Sequence, residues 1–183
     1  MVSPLPQPRT RQYPLPATSL IGREREAADI VAMIRAGTSP LVTITGPGGV
    51  GKTRLALKVL EELANTFRDG VWFVPLAPVH DPELVVPAIA QALGLRETGA
   101  GQAAGQLAER LADAEILILL DNFEHVADAA SALSQLTVSC PGVRILVTSR
   151  TVLRLSMETV YQLEPLAVPD VGSPQRAEEL AGS

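Results

Sequence analysis

The feature that most limits what this chain can become is the octapeptide Gly46-Pro47-Gly48-Gly49-Val50-Gly51-Lys52-Thr53, together with what flanks it. Before it, Leu41 to Thr45 is a short apolar run that suits a buried strand. After it, Leu55, Val59, Leu60, Leu63 and Phe67 recur at helical spacing. Strand, glycine-rich turn and helix in that order satisfy the whole G-x-x-x-x-G-K-[ST] pattern in the context that gives it meaning. Glycines let the backbone curl until successive N–H groups converge, and the positive end of the next helix points the same way, so the loop suits phosphate. Lys52 is placed to reach the β- and γ-phosphates and the Thr53 hydroxyl to ligate Mg²⁺, with Arg54 next to them at the edge of the same site. A glycine turn that merely joins strand to helix would leave Lys52 without a reason. The expected ligand is ATP or ADP with Mg²⁺.

Such a loop needs a sheet to hold it, and the remaining periodicity supplies one. Ala27, Ile30, Val31 and Ile34 trace one face of a helix over residues 23–36, which Gly37 ends. Further strands are expected at Val71 to Val74, Ile116 to Leu120, Val143 to Val147 and Val160 to Leu163. Asp81 and Pro82 offer an N-cap and a first-turn proline for a helix reaching Leu93. Weaker helical patterns follow at Gln106 to Ala112 and Val126 to Leu136, whereas Gly94 to Gly105 reads as a loop. Strands alternating with helices predict parallel βα units with right-handed crossovers in a three-layer α/β sandwich. Prolines at 4, 6, 8, 14 and 16 make residues 1–16 an extended arm or linker, leaving 17–169 as the core and 170–183 as a tail.

Composition narrows the function classes. At 183 residues, 46% hydrophobic and 19% charged, the chain can bury a real core, with aromatics at 3% leaving aliphatic residues to fill it. A net charge of −5 and a pI of 5.1 argue against direct nucleic-acid contact by this segment. Cys140 is the sole cysteine, which excludes a disulfide framework and a cysteine-based metal cluster. The longest clean apolar run, Ile116 to Leu120, is too short to span a bilayer. No membrane partner is expected, and a reducing cytoplasmic setting fits best.

Three further segments carry candidate chemistry. Ile116 to Asp121 is an apolar strand ending in a carboxylate, which would set Asp121 beside the metal at the carboxyl edge of the sheet. Asn122, where a second acid would serve as base, can orient a water and cannot take its proton. Glu124 is the nearest replacement base; equally, it and His125 read as exposed residues in the first turn of a helix. Arg150, at the end of the strand Ile145 to Ser149, could touch a γ-phosphate and sense its loss, or pair on the surface with a nearby acid. His80 and His125 form no metal-ligand spacing, Cys140 reads as a small buried apolar residue, and Trp72 and Phe73 as core.

These residues, with Ser19-Leu20-Ile21-Gly22-Arg23-Glu24-Arg25-Glu26, resemble the NB-ARC-like branch of the STAND class of signalling ATPases. The similarity is to the ATPase module of large bacterial LuxR-type and related transcriptional regulators, where segments like Phe67 to Val74 and Leu120 to His125 also occur. It runs from Pro16 to Pro169. The resemblance implies a P-loop NTPase with a parallel five-stranded sheet in the order 5-1-4-3-2. It also implies that Ile21, Gly22 and Arg23 lie against adenine, that residues 46–53 hold the phosphates, that Asp121 serves Mg²⁺ and that Arg150 acts as first sensor. Full-length relatives close over the nucleotide with a small helical domain and a winged helix, so an isolated core with weakened affinity is expected, its partners being the other domains of a regulator. A nucleotide-dependent oligomer belongs to the same expectation. Three outputs stay open on the residues alone: a slow ATP/ADP switch, a phosphotransferase or steadily cycling ATPase, and a nucleotide-binding module that does not hydrolyse.

Overall fold

The computed structural model describes residues 13–14, 20–95 and 100–166, with the side chains of 100–102 excepted. The arm and tail expected at 1–16 and 170–183 lie outside these residues, Tyr13 and Pro14 apart. Five strands, β1 (Leu41–Thr45), β2 (Val71–Pro75), β3 (Ile116–Asp121), β4 (Val143–Ser149) and β5 (Glu158–Gln162), form one sheet in the order β2-β3-β4-β1-β5. Every pairing is parallel, and the order is the expected 5-1-4-3-2 viewed from the other edge.

Helices cover both faces because the strands are apolar on both, as a buried parallel sheet requires. On one face, α1 (Glu24–Ala36) and α2 (Lys52–Leu63) bury Ile30, Ile34, Leu55, Val59, Leu60 and Leu63 against Val42, Ile44, Leu117, Leu119 and Leu146. On the other, α3 (Val85–Ala92), α4 (Ala100–Leu111) and α5 (Ala130–Ser139) pack Ile89, Leu107, Leu133 and Leu136 onto Trp72, Ile118, Leu120, Ile145 and Val147. The result is the expected three-layer α/β/α sandwich.

Local differences from the sequence expectation have identifiable causes. α4 starts at Ala100 inside the segment read as a loop, since alanines favour helix and Ala103, Leu107 and Leu111 give it a buried face. Asp81 does cap, accepting from the Glu83 amide at 2.9 Å, but the turn it opens is 3₁₀ over Pro82–Leu84 before α3 begins. A 3₁₀ segment likewise occupies Phe123–Ala129, and the α-helix expected from Val126 begins only at Ala130. Phe67 lies past the end of α2 and is half-buried, as is Phe73, whereas Trp72 is buried. No helix among the described residues is long and apolar enough to cross a membrane.

Candidate functional site

β1 lies between β4 and β5, so the loop leaving its carboxyl end is flanked by the ends of both neighbours. Gly46 has φ 151° and stands under β5's exit: a Cβ built on it would lie 2.5 Å from the Leu163 carbonyl oxygen. The Leu163 amide in turn donates to the Thr45 carbonyl at 2.7 Å. Gly51, at φ 99°, precedes α2 and turns the chain into it. Pro47, Gly48, Gly49 and Val50 complete the curl between them, and Arg54 is exposed on the first turn of α2. Lys52 folds its ammonium back over the loop, donating to the carbonyls of Gly46 (2.8 Å) and Pro47 (2.9 Å).

The β3 end supplies the second half. The Thr53 hydroxyl donates to Asp121 Oδ1 at 2.7 Å, and the Thr148 hydroxyl donates to the same oxygen at 2.5 Å. Asp121 and Thr148 are both buried. The Thr148 oxygen also accepts from the Asn122 amide at 3.0 Å, so one hydroxyl fixes both the carboxylate and the turn that follows it. Thr53 and Asp121 present hard oxygen donors of the kind Mg²⁺ takes, a hydroxyl and a carboxylate within hydrogen-bond distance. Among the described residues no cluster of three or more His, Cys, Asp or Glu could hold a metal, so a divalent ion here would lean on these two and on phosphate oxygens.

Asn122 adopts the left-handed conformation at φ 64°, which Asn tolerates better than most residues. The chain leaving β3 is thereby turned so that Glu124 meets the end of β4. Arg150 Nε forms an ion pair with Glu124 Oε1 at 3.0 Å, with the carboxylate side chain 11% exposed and the arginine 60%. The guanidinium stands beside the phosphate loop: a Cβ on Gly48 would lie 3.9 Å from Arg150 Cζ. Of the two expectations for Arg150, the pairing with an acid is present, and it lies beside the phosphate loop.

The expected adenine segment lies against the chain leaving β5. Ile21 is 80% exposed, and Gly22, at φ 74°, places its α-carbon beside Leu166, itself largely exposed. Arg23 is buried, and its guanidinium donates to Glu26 at 2.6 Å and to the Glu164 carbonyl at 2.5 Å, tying the start of α1 to the chain leaving β5. That hydrogen bond holds the Glu26 carboxyl below its ordinary value of 4.5, against the opposing effect of burial. His80 and His125 are exposed. Cys140 is buried, its Sγ 3.5 Å from the Ala108 carbonyl, and burial pushes its thiol up.

Sequence reasoning therefore collected Lys52, Thr53, Asp121, Glu124 and Arg150, which the fold brings together, and missed Thr148. The one signal for it is a hydroxyl in an apolar strand, and only the β3–β4 register, with Leu120 opposite Val147, turns that into a contact with Asp121.

Comparison with known proteins fits this geometry. The family model described as AAA ATPase domain matches residues 19–148. An uncharacterized protein of Mycobacterium tuberculosis, Rv0894, is 37% identical over 152 residues, 82% of this chain and 38% of that protein. A second protein of that organism, named as an HTH-type transcriptional regulator, is 37% identical over 131 residues, which is 71% of this chain and 15% of its own length. The regulatory protein AfsR of Streptomyces griseus is 31% identical over 150 residues, 76% of this chain and 15% of that protein. The chain thus spans well under half the length of these relatives. Among solved structures, Cdc6p of Pyrobaculum aerophilum superposes with a TM-score of 0.62 at 16% identity, over 85% of this chain and 48% of that one. The STAND protein PH0952 of Pyrococcus horikoshii, which carries a tetratricopeptide repeat sensor, gives 0.57 at 18% identity, over 83% and 24%. At those identities the likeness is one of fold. The family model covers most of the described core and agrees with the phosphate loop, the strand order and the regulator-like relatives: this chain belongs to the AAA ATPase domain family.

Proposed function

We propose that residues 17–169 are the nucleotide-binding core of a larger cytoplasmic regulator, an NB-ARC-like switch that alternates between ATP and ADP states and resets by slow Mg²⁺-dependent hydrolysis. The observation that carries this reading is the position of Arg150, beside Gly48 of the phosphate loop and on the end of the strand next to β3. From there it would reach a third phosphate, and β4 would pass that contact to the rest of the sheet. Lys52 and the loop amides would hold the phosphates, Thr53 and Asp121 would hold Mg²⁺, and Ile21 and Gly22 would lie against the base. Mg²⁺ bound there would neutralise charge on the phosphates. Neighbouring domains of the regulator would read the two states, with a nucleotide-dependent oligomer as one output and no nucleic-acid contact by this segment.

A second reading, a module that binds nucleotide without hydrolysing it, draws on Asn122, which cannot act as base, and on Glu124, whose carboxylate is engaged by Arg150. Phosphate release by the purified chain, with Lys52→Ala and Asp121→Ala as controls, separates the two. The switch reading expects turnover that both substitutions abolish. A rate above about one per second, the low end of ordinary enzymes, would refute the slow switch, and retained Mg²⁺-dependent binding without release would support the second reading. Absence of any nucleotide binding would overturn both.

A further inference from the structure

We propose that Glu124 sets the preference of this site between di- and triphosphate by holding Arg150, acting as a positioning residue through the arginine. The inference rests on the nucleotide-binding reading above and concerns what that reading leaves open, namely which state the site favours.

The two residues come from adjacent strand ends, Glu124 from the turn after β3 and Arg150 from the end of β4, and they meet beside Gly48 of the phosphate loop. The pair is lopsided. Glu124 is nearly buried, and its second oxygen, Oε2, has no hydrogen-bond partner among the described residues. Arg150 is mostly exposed and sits on a flexible stem. The carboxylate is therefore the fixed member and the guanidinium the movable one. A nearly buried carboxylate with one oxygen unpartnered keeps a strong claim on the cation beside it, since losing that cation leaves its charge uncompensated.

A third phosphate approaching Lys52 from the loop competes with Glu124 for the same guanidinium. A diphosphate ends short of Arg150 and does not enter that competition. Glu124 thus weakens triphosphate binding selectively and moves the balance toward the diphosphate state. A partly exposed ion pair in this position changes the triphosphate-to-diphosphate affinity ratio about two- to fivefold.

The test is isothermal titration of ADP and of the non-hydrolysable β,γ-imido analogue of ATP, each with Mg²⁺, into wild type, Glu124→Gln, Arg150→Ala and the double variant. Glu124→Gln keeps the shape and drops the charge, so analogue binding is expected to tighten about two- to fivefold while ADP binding stays level. In the Arg150→Ala background the same substitution is expected to change the ratio little, because the arginine it acts through is gone. A purely structural role would move both affinities together. An unchanged ratio in Glu124→Gln overturns the proposal, and so does an equal gain in the Arg150→Ala background, which would mean simple charge repulsion. If Glu124→Gln fails to fold, Glu124→Met, apolar and of similar size, reads the same ratio. Wild type that binds neither nucleotide would refute the nucleotide-site reading itself, a result distinct from normal binding with an unmoved ratio.

Discussion

Replacing Thr148 with valine keeps the shape of the side chain and removes the hydroxyl that ties β4 to β3. Two bonds go with it: the 2.5 Å bond donated to Asp121 Oδ1 and the 3.0 Å bond accepted from the Asn122 amide. The first ends on a carboxylate and is worth about 1.5–3 kcal/mol. The second leaves an amide without its partner, a loss of about 1–3 kcal/mol when fully buried and less here, because Asn122 is half-buried and water can reach it. Thr53 still donates to Asp121, which softens the change. The net expectation is a destabilisation of about 2–4 kcal/mol, or a midpoint lowered by roughly 5–15 °C for a domain of this size. Differential scanning calorimetry measures the midpoint, and Thr148→Ser, which restores the hydroxyl, is expected to recover most of it. Mg²⁺-dependent nucleotide binding is expected to weaken in parallel, since Asp121 loses one of the two groups that orient it. A valine variant melting within about a degree of wild type would show that the Thr148–Asp121–Asn122 contacts contribute nothing to stability.

Other expectations can be checked as directly. Gly46→Ala must push a methyl to 2.5 Å from the Leu163 carbonyl and hold a left-sided φ, so a loss of about 2 kcal/mol or more is expected by urea unfolding; a neutral result would contradict the close approach. Because Arg23 holds the Glu26 carboxyl low in the folded protein, its contribution is complete above pH 4.5 and fades as pH falls below it. The stability difference between wild type and Glu26→Gln should therefore shrink between pH 7 and pH 3, and a gap that widens instead would reverse the assignment. The Cys140 thiol, buried and pushed up, is expected to react slowly with a thiol reagent at pH 7 and rapidly in urea; equal rates would mean that it is accessible.

Much of this arrangement was legible before any coordinates. Strands announced themselves as apolar runs because a sheet covered on both faces leaves no polar alternation, and the glycine loop announced itself because its chemistry is local in sequence. Asp121 was legible for the same reason, as an acid at the end of an apolar strand. Thr148 was not, since its partner lies 27 residues away and the meeting depends on strand register. α4 was hidden by its composition: glycines at 101 and 105 suggested a loop, while the burial of Leu107 and Leu111, which decides the matter, is a tertiary fact. The 3₁₀ path after Asn122 was equally hidden, yet it is what carries Glu124 to Arg150.

The close approach of Gly46 to Leu163 has a mechanical consequence. Most neighbours in a protein touch through side chains, whose rotamers yield and absorb small displacements. Here the root of the phosphate loop rests on the main chain leaving β5, hydrogen-bonded on one side and in near contact on the other, with no side chain between. A shift of a few tenths of an ångström in residues 163–166 would reach the loop with little attenuation, and Arg23, clasping the Glu164 carbonyl, grips the same stretch from the first helix. The segment just past β5 thus bears on the root of the phosphate loop main chain to main chain, a joint with no rotamer to take up slack.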